Sequence, residues 1–319
     1  MSETSKIEWT DATWNPVVGC DKVSPGCANC YAESYAKRFR AAVPFDVITL
    51  HPERMDWPTR WTRPRKIFVG SLTDPFHTSI PTAYRDRMFL EMILAGRHTF
   101  QVLTKRPDLA RDYLDGLTAR PSMVGAALNA AQAGGAIYAD FVPAVPTPDA
   151  LATFWPLSHV WIGTSVENAH WADKRIPALL TVPADIRFVS FEPLLGPIPA
   201  GAILPGIDWA IVGGESGPNT RPFDPDWART IFRTCHDLGI ARFMKQLGGW
   251  PNKRDRMSHF PPDLQVREFP VIHWRTRKDS PCLDARTFTR PSAGLPGSGL
   301  KTNAKRTGTT WSKSNSKPR

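Results

Sequence analysis

Three cysteines lie within eleven residues near the N-terminus, at positions Cys20, Cys27 and Cys30. The chain has five cysteines in all, which is too few for the disulfide framework of a small secreted protein. In a reducing compartment, thiol groups clustered in this way are typical of metal binding or redox chemistry. The cluster therefore predicts a metal or redox site in this segment.

The spacing of the cluster is C-x6-C-x2-C, and a Pro-Gly pair in the loop allows three thiolates to face one point. A helix is predicted at Tyr31–Arg40, and its N-terminal end favours negatively charged thiolates. A structural zinc ion needs a fourth ligand, and the candidates His51, Cys235 and Cys282 are far away in the sequence. Three thiolates on a [4Fe-4S] cluster would leave one iron open to another ligand. The residues favour the cluster, with zinc as the alternative.

Six short runs rich in Val, Ile and Phe recur along the chain, and each is followed by small or charged polar residues. Such runs are typical of strands buried on both faces, as in a parallel sheet. They are Lys66–Gly70, Thr99–Leu103, His159–Gly163, Ile186–Val189, Asp208–Val212 and Ala241–Met244. Helical patterns lie between several of them, at Tyr84–Gly96, Trp171–Leu180 and Pro225–Leu238, the last closed by Gly239 as a C-cap. The alternation predicts an α/β fold with a parallel barrel or an open sheet.

Polar residues follow each of these predicted strands. Active sites of α/β barrels lie at the C-terminal ends of the strands, so the side chains are expected to meet in one cleft. The alternative for any single Ser, Thr, Asp or Asn is that it caps the next helix. The candidates are Ser71, Thr73, Asp74, Lys105, Ser165, Glu167, Glu192, Gly213, Gly214, Glu215, Lys245 and Gln246. Because acids recur at these ends, the set as a whole favours a site.

Longer motifs add a family resemblance that covers about Trp9 to Trp250. Among them are Trp14-Asn15-Pro16, Gly26-Cys27-Ala28-Asn29-Cys30-Tyr31, Leu103-Thr104-Lys105-Arg106-Pro107, Gly163-Thr164-Ser165-Val166-Glu167-Asn168, Ser190-Phe191-Glu192-Pro193, Gly213-Gly214-Glu215-Ser216-Gly217 and Lys245-Gln246-Leu247-Gly248. With these motifs the chain resembles radical S-adenosylmethionine (SAM) enzymes, and specifically a phage and bacterial family with a three-cysteine motif, usually described only as phage proteins. The commonest radical SAM motif is C-x3-C-x2-C with an aromatic residue before the third cysteine. Here the first gap is six residues, and Asn29 holds that place.

The resemblance implies a partial TIM-type (βα)6-like barrel of the radical SAM kind. Its cofactors would be a [4Fe-4S] cluster on Cys20, Cys27 and Cys30, and SAM on the open iron. One electron from a donor such as flavodoxin or ferredoxin would release methionine and a 5′-deoxyadenosyl radical, which takes a hydrogen atom from the substrate.

By the same analogy, the candidate cofactor-binding residues are Ser71, Thr73, Asp74, Ser165, Glu167, Glu192, Gly213, Gly214 and Glu215. The candidate substrate-binding residues are Lys105, Arg221, Lys245 and Gln246, whose cations would meet a phosphate or carboxylate. Two alternatives remain open from the residues themselves. In the first, the basic side chains pair with the neighbouring acids and do not bind substrate. In the second, Gly213 and Gly214 form a tight turn and do not contact a cofactor.

Three functions are considered. The first is a radical SAM enzyme of the isomerase or lyase type, which acts on a modified nucleobase or nucleotide in phage DNA modification. The second is a lyase that repairs a DNA lesion, as spore photoproduct lyase does. The third is a zinc-stabilised module that binds nucleic acid without catalysis.

The net charge of +10 is concentrated at the C-terminus, where eight basic residues face one acidic residue from Asp284 onwards. This stretch is poor in apolar residues, so we expect residues 284–319 to be a disordered basic tail that either contacts a polyanion or only aids solubility. Residues 1–283 are expected to form the barrel, with an insertion at about 107–157. The sequence has no membrane-length apolar run and no signal-peptide pattern. It therefore predicts a cytoplasmic protein without a membrane partner.

Overall fold

The computed structural model describes residues 4–40, 42–118, 156–203, 205–216, 219–249 and 254–271. These residues belong to one compact unit, Met1–Cys282. The predicted tail at 284–319 and residues 119–155 of the predicted insertion lie outside the described residues.

The strands in the described residues are β1 (Ala12–Trp14), β2 (Val17–Val18), β3 (Thr49–Leu50), β4 (Lys66–Val69), β5 (Thr99–Thr104), β6 (Val160–Ser165), β7 (Arg187–Phe191), β8 (Trp209–Gly213) and β9 (Ala241–Gln246). Seven of them form a curled parallel half-barrel sheet in the order β1-β4-β5-β6-β7-β8-β9. Strands β2 and β3 pair separately and antiparallel. All six predicted strands are confirmed, and β1 is an additional parallel strand that pairs with β4. The structure is therefore an α/β fold with an open, barrel-like sheet.

The helices are α1 (Tyr31–Phe39), α2 (Trp57–Arg60), α3 (Thr82–Leu94), α4 (Pro107–Thr118), α5 (Ala169–Leu180) and α6 (Pro225–Asp237). The four predicted helices correspond to α1, α3, α5 and α6, and Gly239 has a φ of +70° beyond the end of α6, as its predicted capping role requires. Helix α4 covers the first part of the predicted insertion. It buries Ala110, Tyr113 and Leu114 in the core and packs against α5, so this part belongs to the repeating βα pattern.

The two faces of the sheet bury different kinds of side chain. Aliphatic residues on one face, such as Val102, Ile162 and Val212, pack with the helices in the larger hydrophobic cluster. The opposite face is largely aromatic: Phe68, Trp161, Phe188, Trp209 and Phe243 form a second cluster. Burial of both faces explains why the strands read as continuous apolar runs.

Trp9 completes the aromatic face from the segment before β1. Its ring lies 4.7 Å from Phe68 and 6.1 Å from Trp209, measured between ring centroids. The backbone carbonyl of Trp9 accepts a hydrogen bond of 3.0 Å from the side chain of Gln101 in β5. The N-terminal segment is therefore packed across the inner face of the sheet. None of the helices in the described part of the chain has the length and hydrophobicity that a membrane span requires.

Glu91 is a buried carboxyl group in the contact between α2 and α3. Its Oε1 accepts a hydrogen bond from the backbone N–H of Thr59, and its Oε2 is buried without a hydrogen-bond partner. Burial raises the pKa of Glu91 to about 7, and the nearby charge of Asp56 adds to the rise. Glu91 is therefore protonated in the folded protein at pH values where it is ionised in the unfolded chain.

We predict that the free energy of unfolding falls as the pH rises from about 4.5 to about 7, because the folded state holds the Glu91 proton more tightly than the unfolded state does. The shift corresponds to at most about 3 kcal/mol. Urea unfolding of Glu91→Gln should show a flatter slope across this range, whereas Asp173→Asn, at an exposed aspartate of α5, should leave the slope unchanged. An unaltered slope in Glu91→Gln would contradict the assignment.

Candidate functional site

The three clustered cysteines lie on one loop between β2 and α1, which we call the cysteine loop (residues 19–30). Cys20 follows Gly19, which bridges to Thr73 beyond β4, and Cys27 ends a single 3-10 turn. Cys30 is the N-cap residue of α1, so the prediction that the cysteines precede a helix is confirmed. All three are free thiols.

The three cysteines line one cavity of about 440 Å³ at the C-terminal ends of the strands. Most of the predicted site residues line the same cavity: Ser71, Thr73, Asp74, Lys105, Ser165, Glu192, Glu215 and Lys245. The lining also includes the apolar side chains of Ile7, Trp9 and Phe68. The structure therefore brings the cysteine loop and the ends of the strands β4 to β9 together, as the sequence predicts. Five predicted residues do not line the cavity: Glu167, Gly213, Gly214, Arg221 and Gln246.

Glu167 lies behind the cysteine loop and clamps it to the end of β6. The carboxylate accepts a 2.7 Å hydrogen bond from the Ser24 hydroxyl, an ion pair from Lys105, and a 3.1 Å ion pair from Arg175 of α5. Its side chain is fully buried. Burial alone would raise the pKa of Glu167, but the charges of Lys105 and Arg175 outweigh burial and hold it below its ordinary value. The sequence places Glu167 at the cofactor, whereas in the structure it holds the loop.

Gly26 is the point at which the loop touches this carboxylate. A Cβ atom added at Gly26 would lie only 2.5 Å from Cγ of Glu167. No residue with a side chain fits there without moving the loop or the carboxylate. Cys27 follows directly, and its sulfur lies 3.8 Å from the Ser24 hydroxyl, so the same contact also positions one thiol.

A second clamp joins the loop to the end of β8. The side-chain amide of Asn29 donates to Oε2 of Glu215 at 2.9 Å and to the carbonyl of Asn219 at 3.0 Å. Arg221 donates to the same carboxylate from its backbone N–H at 2.9 Å and from Nε at 3.0 Å. Burial would raise the pKa of Glu215, but the hydrogen bonds from Arg221 and Asn29 hold it below its usual value. Arg221, predicted to bind substrate, is therefore engaged with Glu215.

Asp74 forms the third contact, between the ends of β4 and β5. It accepts hydrogen bonds from the Thr104 hydroxyl at 2.7 Å, the Lys105 backbone N–H at 2.9 Å and the Arg106 guanidinium at 2.9 Å. Arg106 also pairs with Asp21 and lies 4.0 Å from the sulfur of Cys20. Asp74 thus positions the arginine that contacts the first cysteine.

Cys27 is buried, and Cys20 and Cys30 are partly buried. Burial raises the pKa of the Cys20 thiol to about 11; the charge of Asp74 adds to the rise and Arg106 opposes it. Burial also raises the pKa of Cys30, and the backbone N–H groups of Glu33 and Ala32 in the first turn of α1 act in the opposite direction.

Gly213, the last residue of β8, and Gly214 both pack closely against other parts of the protein. A Cβ atom at Gly214 would lie 2.7 Å from the carbonyl oxygen of Leu247, and one at Gly213 would lie 3.4 Å from the side chains of Glu192 and Gln246. The close approach at Gly214 is therefore made to the segment after β9, and the contacts of Gly213 are made to Glu192 and to Gln246 of β9.

Glu192 differs from the other acids at the strand ends. Its Oε1 accepts hydrogen bonds from Lys245 at 2.5 Å and from the Gln246 amide at 3.1 Å, and Gln246 also donates to the carbonyl of Gly214 at 2.7 Å. None of the hydrogen bonds found for Glu192 in the described residues involves the cysteine loop. Glu192 and Lys245 line the cavity and keep 16% and 13% of their side-chain surface exposed. They form a carboxylate–ammonium pair that a ligand in the cavity can reach.

A family comparison covers nearly the whole chain. The family described as protein of unknown function (DUF5131) matches residues 4–312. The chain belongs to this family. No curated protein and no solved structure has significant similarity to the chain.

The site of this DUF5131 protein offers ligands of two chemical kinds. Three thiols lie on the loop, and hydroxyl groups of serine and threonine stand with the Glu192–Lys245 pair at the strand ends. Within the described residues, no three His, Cys, Asp or Glu side chains are arranged so that they could hold a metal ion. Sequence reasoning did not predict the loop contacts of Ser24 and Asn29, because polarity was the only feature of these residues that pointed to a role.

We predict that Gly26→Ala lowers the free energy of unfolding by about 1–3 kcal/mol, because the added methyl group overlaps Glu167. The matched control is Gly201→Ala, where an added Cβ meets no atom within 4 Å. Urea unfolding of both variants measures the difference. Equal stability of the two variants would show that the loop does not press on the carboxylate.

Removing the charge of Glu167 should be costlier still. Glu167→Gln leaves Lys105 and Arg175 without their buried counter-charge, so we expect a loss of about 3–5 kcal/mol at pH 7. Because the folded pKa of Glu167 is depressed, the loss should be full above the ordinary glutamate pKa and should shrink as the pH falls through the folded value. Glu268→Gln, in an exposed pair with Arg242, should cost less than about 1 kcal/mol. A small, pH-independent effect of Glu167→Gln would refute the clamp.

Proposed function

We propose that this protein is a radical SAM enzyme whose cysteine loop holds a [4Fe-4S] cluster. The observation that carries the proposal is the convergence of Cys20, Cys27 and Cys30 on one cavity at the C-terminal ends of a curled parallel sheet. Active sites of α/β barrels are built at this edge of the sheet. The proposal includes the finer fold assignment, in which the sheet is a partial barrel of the radical SAM kind.

The donor set fits the proposed cluster. Three free thiols are soft ligands, and iron–sulfur clusters are held by thiolates. In an iron–sulfur cluster each thiolate binds a different iron, so the three sulfurs need not lie around one ion. Cys20, Cys27 and Cys30 would hold the cluster, and the cluster would supply the electron that cleaves SAM.

The strand ends supply the groups that SAM would need. The hydroxyl of Ser165 suits ribose or carboxylate oxygens, and Glu192 suits an ammonium group. The hydroxyls of Ser71 and Thr73 donate to the Asn15 side chain and to the Gly19 carbonyl, so they could only accept a hydrogen bond from a ligand. With both cofactors bound, the site would supply hydrogen-abstracting radical chemistry. The cavity of about 440 Å³ lies within the range of small-molecule sites.

The chain's own residues would hold and shield the reactants. The apolar side chains of Ile7, Trp9 and Phe68 in the cavity lining would help to exclude water from the reactants. Lys245 lies at the rim with an ammonium group that suits a phosphate or carboxylate of the substrate. Lys105 is paired with Glu167, so in this proposal it supports the loop and does not bind substrate.

For the substrate we propose a modified nucleobase or nucleotide, with phage-type DNA modification as the setting. The support is the family resemblance and the eight basic residues from Asp284 onwards, which suit contact with a polyanion. Lesion repair of the lyase type uses the same cofactors, and incubation with irradiated DNA distinguishes it, because SAM would then be regenerated.

We predict that anaerobic reconstitution with iron and sulfide gives a [4Fe-4S]⁺ EPR signal after reduction, and that SAM changes this signal. Cys27→Ala should abolish the signal, because it removes a buried ligand. The matched control is Cys235→Ala, which removes a thiol buried inside α6 and should leave the signal intact. Stoichiometric zinc without a cluster would refute the radical proposal and favour a zinc-stabilised binding module.

A further inference from the structure

The sulfur of Cys20 lies beside a network of charged side chains that the proposed function does not use. The guanidinium of Arg106 is at the centre of this network. Its Nη1 donates to Asp74 at 2.9 Å and to the Cys20 sulfur at 4.0 Å, and its Nη2 pairs with Asp21. At 4.0 Å the contact with sulfur is chiefly electrostatic. One planar cation therefore joins two carboxylates and a thiol.

His77 extends the network by one step. Its Nε2 lies 3.0 Å from Oδ1 of Asp21, the same oxygen that pairs with Arg106. Its Nδ1 accepts a hydrogen bond from the backbone N–H of Ser79, which assigns the ring proton to Nε2, next to the carboxylate. His77 is buried, whereas the Asp21 side chain is 55% exposed. The histidine therefore fixes a carboxylate that solvent would otherwise leave mobile.

The three thiols of the cysteine loop have different neighbours. Cys27 lies 3.8 Å from the neutral hydroxyl of Ser24, and Cys30 lies at the N-terminus of α1, beside backbone N–H groups of that helix. Cys20 is the thiol that receives a hydrogen bond from a charged side chain, Arg106. Hydrogen bonds and charges at the sulfurs are among the levers that set the potential of an iron–sulfur cluster.

Cys20 also borders two cavities. It lines the cavity at the strand ends and a surface groove below α1, of about 590 Å³. Of the three cysteines, all of which lie in the described residues, only Cys20 lines this groove. Arg106 lies on the cavity side and keeps only 11% of its side-chain surface exposed. Because water screens a mostly buried charge weakly, the guanidinium acts strongly on the neighbouring sulfur.

We propose that Arg106 raises the reduction potential of the proposed [4Fe-4S] cluster through Cys20, and that Asp74, Asp21 and His77 position it for this role. The inference rests on the proposed function, because it concerns the cluster that the same thiols would hold. On reduction the cluster gains one electron and passes from [4Fe-4S]²⁺ to [4Fe-4S]⁺, the reductant loses one electron, and no bond forms or breaks. A cation beside one of the sulfurs stabilises the reduced, more negative state more than the oxidised state.

The two carboxylates decide the sign of the effect when Arg106 is removed. Asp21 and Asp74 carry negative charges that oppose the arrival of an electron, and both pair with the same guanidinium. Neutralising Arg106 takes the cation from Cys20 and also takes this counter-charge from both carboxylates. Each change disfavours the reduced state, so the potential should become more negative.

The test is an EPR-monitored redox titration of the reconstituted full chain, with dithionite as the reductant and soluble mediators. Arg106→Gln should lower the equilibrium constant for reduction about tenfold, which is a shift of about 59 mV to more negative potential for a one-electron couple. Arg106→Lys keeps the charge but has no planar fork to reach all three partners, so its shift should be about threefold. The matched control is Arg187→Gln, at a partly buried arginine of the N-terminal end of β7, which should leave the potential unchanged.

His77 is a positioning residue, so its effect must pass through Arg106. His77→Leu should lower the equilibrium constant about threefold, because Asp21 is then held by Arg106 alone and draws the guanidinium away from Cys20. Combined with Arg106→Gln, the same substitution should add no further shift, since the group through which it acts is gone. If His77 only supports the fold, His77→Leu will lower the thermal midpoint and leave the potential unchanged, which would overturn its assigned role.

The outcomes separate this inference from the proposed function. If the wild type gives no [4Fe-4S]⁺ signal with dithionite, the proposed function fails and this inference fails with it. If the wild type gives the signal and Arg106→Gln has the same potential or a more positive one, the inference alone is overturned. If Arg106→Gln does not retain a cluster, Arg106→Lys and His77→Leu decide, and an unchanged potential in both would overturn the inference.

Discussion

The position of the cysteine loop depends on one buried charge, the carboxylate of Glu167 at the end of β6. A carboxylate without solvent is stable only when cations and hydrogen bonds surround it, and here Lys105, Arg175 and the Ser24 hydroxyl do so. Two of these partners belong to the scaffold, and the third belongs to the loop. Because Gly26 also lies against the same carboxylate, the loop cannot shift without exposing or unpairing the charge.

Other acids at the strand ends also have a structural role like that of Glu167. Asp74, Glu167 and Glu215 are acids at strand ends, where ligand-binding groups are expected. Each of them, however, makes its hydrogen bonds to the loop or to a neighbouring strand end. Their role is to fix three different points of the site to a rigid sheet, and a site held by such supports keeps its geometry before the ligand arrives. Glu192 remains, paired with Lys245 across the cavity wall. In the described residues, its side-chain hydrogen bonds run to β9 and not to the loop.

The strands were predictable because burial on both faces leaves continuous apolar runs such as Lys66–Val69, which no local alternative explains. The three-residue strand β1 has no such run, and it is a strand because it pairs with β4. Helix α4 was hidden beside the irregular segment that follows it, although Leu109, Ala110, Tyr113 and Leu114 carry a helical spacing. The contacts that clamp the loop could not be predicted from the sequence. Asn29 and Glu215, for example, are 186 residues apart, and a single sequence carries no sign of such a pair.

The curled sheet also explains why the loop has two accessible sides. An open half-barrel leaves its inner face to be covered by other parts of the chain, and here Trp9 packs across the aromatic floor while the cysteine loop is pinned to the strand ends. One side of the loop then borders the cavity, and the other borders the groove below α1. A closed barrel would bury such a loop at its mouth, whereas this arrangement keeps Cys20 within reach of both sides. Cys20 therefore lies where the cavity and the groove share a wall.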